Sequence, residues 1–73
     1  MARDVQIRGD MIRLGQLLKL AGVVDSGGEI HALLEEEPVL VNGEPEQRRG
    51  RQLHPGDVVA VAGEELQIVS GAS

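Results

Sequence analysis

The chain contains no cysteine and no aromatic residue, and only seven lysines and arginines stand against twelve acids. Without cysteine there is no disulfide, no thiolate metal site and no thiol chemistry, so stability has to come from packing and turn chemistry. Without Phe, Tyr or Trp the core must be assembled from Leu, Val, Ile, Met and Ala, and no ring is present on which single-stranded bases can stack. No apolar run approaches the roughly 20 residues of a membrane span, and Met1-Ala2-Arg3-Asp4-Val5 lacks the apolar stretch of a secretory signal. These absences lead us to expect a soluble, unprocessed, cytoplasmic protein. At 73 residues the expected organisation is one domain, 1–73, with a small core, because a chain near this size buries only about 60% of its unfolded surface. A deep catalytic pocket is not expected.

The net charge of -5 opposes a nucleic-acid partner, but distribution matters more than the sum. At physiological salt the Debye length is about 8 Å, so a local basic cluster attracts phosphate while acids on a far face go largely unfelt. One dense cluster is present: Arg48-Arg49-Gly50-Arg51 places three arginines within four residues.

Periodicity supplies the fold class. Val5-Gln6-Ile7-Arg8 alternates as a half-buried strand. Asp10 can cap the helix that follows, whose apolar stripe is Leu14, Leu17, Leu18 and Ala21, with Gly22 at a left-handed stop and Lys19 exposed. Gly15 inside that helix implies close packing or a late helix start. Ser26 and Glu29 form a capping box for a second helix with Ile30, Leu33 and Leu34 inward. Glu35-Glu36-Glu37 is read as its solvated end, and Pro38 stops it. Val39-Leu40-Val41 then leads into the hairpin signal Asn42-Gly43, and His54-Pro55-Gly56-Asp57 has the residues of a type II turn. Val58 to Ala62 reads as a strand buried on both faces, Leu66 and Ile68 belong to a last strand, and residues 71–73 are expected to fray. The predicted architecture is α+β: two short helices packed on a small antiparallel sheet of four to five strands.

Four stretches carry a family resemblance: Arg13-Leu14-Gly15-Gln16-Leu17-Leu18, Ser26-Gly27-Gly28, Val39-Leu40-Val41-Asn42-Gly43 and Pro55-Gly56-Asp57-Val58-Val59. In this order they resemble the S4 (S-four) RNA-binding domain, named after the fourth small-subunit ribosomal protein, and above all its small stand-alone bacterial members. The resemblance covers nearly the whole chain. It implies the alpha-L motif, in which a helix pair and an adjoining hairpin hold structured RNA, of ribosomal or transfer RNA class, against a basic surface. It implies no catalytic role. No cofactor, metal site or small-molecule substrate is expected, and the chain is expected to be a monomer. Carried over by position, the RNA-facing set is Arg13, Lys19, Ser26, Gly27, Gly28, His31, Arg48, Arg49 and Arg51. The chain departs from the family pattern where His31 stands at a commonly basic position, where Gly15 replaces the usual aspartate, and where Glu36-Glu37-Pro38 replaces a glycine.

Each feature also has a plainer reading. The arginines can balance Glu44 and Glu46 in a solvated loop, Gly27 and Gly28 can serve helix initiation alone, and His31 can pair with Glu35 one turn on. Two rival functions follow: a β-grasp module, which also carries a Val-Asn-Gly hairpin but only one main helix, and an S4 scaffold used as a protein-binding adaptor without RNA. The helix count separates the first from the S4 reading.

Overall fold

The computed structural model describes residues 2–71. The elements are β1 (Ala2–Ile7), β2 (Ile12–Arg13), α1 (Leu14–Leu20), α2 (Gly27–Glu36), β3 (Val39–Val41), β4 (Glu44–Glu46), β5 (Gln52–Leu53), β6 (Val58–Val61) and β7 (Glu64–Ser70). Five strands form one sheet in the order β1-β7-β6-β3-β4, and β2 pairs with β5 separately. The expected α+β architecture is present, with one topological addition. β1 joins β7 in parallel, since the chain crosses over through both helices before returning, whereas every other pair is antiparallel.

The two helices and one face of the sheet enclose a single aliphatic core. Val5 and Ile7 on β1, Leu66 and Ile68 on β7, Val59 and Val61 on β6, and Val39 and Val41 on β3 alternate inward to meet Leu14, Leu17, Leu18, Ile30 and Leu34. The other face stays open, which corrects the expectation for β6: Val58 and Ala60 are only half-buried, so the strand is not covered on both sides. Leu40, between Val39 and Val41, is 36% exposed on the same outer face. The physical reason is that two short helices can cover one face only.

The termini of the elements show what stops them. α1 ends in a Schellman motif: Gly22 sits at φ +77°, its N–H donates to the Lys19 carbonyl, and the Val23 N–H reaches the Leu18 carbonyl at 2.9 Å. Asp10 does not cap α1; the helix starts after Arg13, whose N–H is accepted by the Gln16 side chain at 3.2 Å. The capping box expected at the start of α2 is not formed: Ser26 makes no side-chain cap, and Glu29 accepts the Asp25 N–H at 3.0 Å rather than that of Ser26. Asn42 and Gly43 both take positive φ, as the hairpin signal requires. Gly71, expected to fray, donates its N–H to the Ile7 carbonyl at 2.8 Å; Ala72 and Ser73 lie outside the described residues.

Candidate nucleic-acid interface

The arginine-rich segment connects β4 to β5 and is folded around one carboxylate. Glu46 pairs with Val39 across the β3–β4 ladder and is therefore turned inward, 7% exposed. Its Oε1 accepts from Arg51 Nη1 at 2.8 Å and Arg48 Nη2 at 3.2 Å, and its Oε2 from Arg48 Nε and the N–H groups of Gln47 and Arg48. The Arg48 and Arg51 guanidinium groups hold this carboxyl down from its ordinary 4.5 to about 2. Two of the three arginines are thus engaged by an internal anion.

Arg49 is different. Its carbonyl accepts the Gly15 N–H at 2.8 Å, the Arg51 carbonyl accepts the Leu14 N–H at 2.9 Å, and Arg13 Nη1 donates to the Gly50 carbonyl at 3.2 Å. The loop therefore satisfies the first amides of α1, which are otherwise without partners at a helix start, and it is fastened there by the two-residue β2–β5 ladder. The result is a groove of about 360 Å³ lined by Arg13, Gly15, Gln16, Lys19, Gly27, Ile30, Arg49 and Gly50. Its lining includes three cations and no acid. Among the described residues, Arg13, Lys19 and Arg49 have no carboxylate within 4.0 Å.

Of the nine residues singled out in the sequence, the groove joins Arg13, Lys19, Gly27 and Arg49. Ser26 and Gly28 flank Gly27 at the start of α2. Arg48 and Arg51 border an adjoining recess with Gly50, Gln52 and His54. His31 is exposed and pairs with Glu35 at 3.0 Å, the plainer of its two readings.

This arrangement of two helices, a hairpin and an arginine loop against the first helix accompanies a match of the S4 domain profile to residues 5–69. The chain belongs to the S4 domain family. It is also 54% identical over 63 residues to the probable ribosome maturation protein RlbA of Bacillus subtilis (strain 168), a match covering 86% of this chain and 89% of that relative. The β-grasp alternative falls with the second helix. No helix of the described residues is long and apolar enough to cross a membrane.

The plainer reading of the arginines holds for Glu46, which pairs with Arg48 and Arg51, but its inward register on β4 makes it a buried anchor rather than part of a solvated loop. Two further residues of this S4 domain had no role at the site in the sequence reading. Gln16 serves both as the α1 cap partner and as groove lining. His54 borders the second recess, held by its N–H bond to Asp57 Oδ2 at 2.8 Å. Burial pushes the Asp57 carboxyl up, but the bonds from the His54 N–H and the Asn42 amide outweigh it and hold Asp57 below its usual value.

Proposed function

We propose that this S4 domain is a non-catalytic RNA-binding protein that holds structured RNA by its backbone and shape, with Arg13, Lys19 and Arg49 as the phosphate-facing cations. The observation that carries this reading is the acid-free groove in a chain of net charge -5. Guanidinium forks match phosphate oxygens, and the missing aromatics disfavour splayed single strands. Gly27, at the start of the ten-residue α2, lines the same groove, and the start of a helix favours an anion. The name of the Bacillus relative favours ribosomal RNA over transfer RNA as the class of ligand. Arg48 and Arg51 contribute less to phosphate binding than their sequence suggests, because Glu46 already occupies them.

The test is fluorescence anisotropy with a labelled RNA stem-loop, competed by single-stranded poly(A). With three phosphate contacts the slope of log K against log salt should lie at about -2 to -3. Replacing Arg13, Lys19 and Arg49 together by alanine should remove most of the affinity and flatten that slope. An unchanged Kd in the folded triple variant would overturn the reading. The adaptor alternative draws on the open sheet face, where Leu40 lies among Glu37, Glu64 and Glu65; partners that survive nuclease in a pull-down would favour it.

A further inference from the structure

Five donors converge on the Glu46 carboxylate, and all come from the five residues that follow it: the N–H groups of Gln47 and Arg48, Nε and Nη2 of Arg48, and Nη1 of Arg51. Arg51 N–H also donates to the Arg48 carbonyl at 3.2 Å, closing the loop on itself. With the inner side of the loop occupied in this way, the carbonyls of Arg49, Gly50 and Arg51 face the start of α1, where they accept from Gly15, Arg13 and Leu14. Arg49 lies between the two clamped arginines, and its Cβ is 3.5 Å from where a β-carbon on Gly15 would be. Its direction is therefore set from both sides.

We propose that Glu46 is the positioning residue of the groove: it winds residues 47–51 so that Arg49 is delivered beside Arg13 and Lys19, and it touches no ligand itself. The inference rests on the groove being the RNA site. It divides the arginine triplet into two structural cations, Arg48 and Arg51, and one ligand-facing cation, Arg49. A competing consequence of the same geometry makes the proposal decidable. If Glu46 only masked positive charge, its removal would free two guanidinium groups for phosphate and binding would tighten.

The experiment is a double-mutant cycle on the full chain with the labelled stem-loop. Glu46→Gln and Arg49→Ala should each weaken binding about five- to tenfold, and the double variant should be no weaker than the poorer single one, because Glu46 acts through Arg49. Amide exchange at Leu14 and Gly15 should accelerate in Glu46→Gln. Should Glu46→Gln fail to fold, Arg48→Ala, which leaves the Arg51 and backbone bonds in place, should show the same non-additivity with Arg49→Ala at smaller amplitude. Unchanged or tighter binding by Glu46→Gln, or losses that multiply in the double variant, would overturn the proposal while leaving the RNA reading intact. If the wild-type chain does not bind the stem-loop, the RNA reading fails and the proposal fails with it.

Discussion

Gly15 stands at the second position of α1, where an added β-carbon would lie 3.5 Å from the Cβ and carbonyl of Arg49 and from Cδ1 of Ile30. That is ordinary van der Waals contact, so a methyl group fits. The expected outcome for Gly15→Ala is a gain of about 0.5–1 kcal/mol, from helix propensity and a less flexible unfolded chain. Gly15→Leu should lower stability and weaken stem-loop binding, pushing the arginine loop off the start of α1. Urea denaturation and anisotropy on the two variants check this; a destabilised alanine variant would mean that the loop is packed more tightly against α1 than these distances indicate. At this scale the site consists of contacts between one backbone and another, and the charged tips come last.

Two hairpins in the sheet have the same turn geometry and different turn residues. Asn42 and Gly43 lie at φ 52° and 85°, and Ala62 and Gly63 at φ 51° and 77°. Asparagine tolerates this left-handed region and alanine pays a steric cost of roughly 1 kcal/mol there. Ala62→Asn should therefore stabilise the domain by about 0.5–1 kcal/mol, read as a raised midpoint of thermal unfolding; no gain would mean that the β6–β7 turn is held by its neighbours regardless of residue. The contrast also explains what was legible beforehand. Asn42-Gly43, Gly22 and the His54–Asp57 turn declare themselves because their residue types are the ones those backbone shapes demand. Helix faces and the inward positions of β1 and β7 were legible through period alone, whereas the continuous apolar run of β6 hid which of its faces is open. The parallel β1–β7 pair and the β2–β5 ladder were not, because they depend on where distant segments meet. Within the candidate site, Arg13, Lys19 and Arg49 could be named from sequence, but their division from Arg48 and Arg51 could not, since it is decided by the register that turns Glu46 inward opposite Val39.

Across the whole molecule, charge is sorted by location. The charged side chains of the groove lining are all cations, while the recess on the open sheet face is rimmed by Glu37, Glu64 and Glu65, and the acid held most firmly in its charged form is buried under the arginine loop. Its titration makes stability depend on pH. Glu46 takes up a proton only near pH 2 in the folded protein and near its ordinary value of 4.5 once unfolded, so between these values the unfolded chain binds more protons. The stability contributed by Glu46 is therefore fully present above about pH 5 and is lost as the pH falls towards 2. Arg48 is largely solvent-exposed, which screens the pair, so the loss should amount to about 1–2 kcal/mol rather than the full value of the shift. Denaturant titrations of the wild type at pH 7, 4 and 3 should show a progressive decline. Glu46→Gln should start lower at pH 7 and decline less, because its amide has no proton to take up, while the other acids still titrate in both proteins. Parallel declines in the two proteins would mean that the carboxylate is not held in its charged form by the loop, and that the ordering of residues 47–51 has another cause.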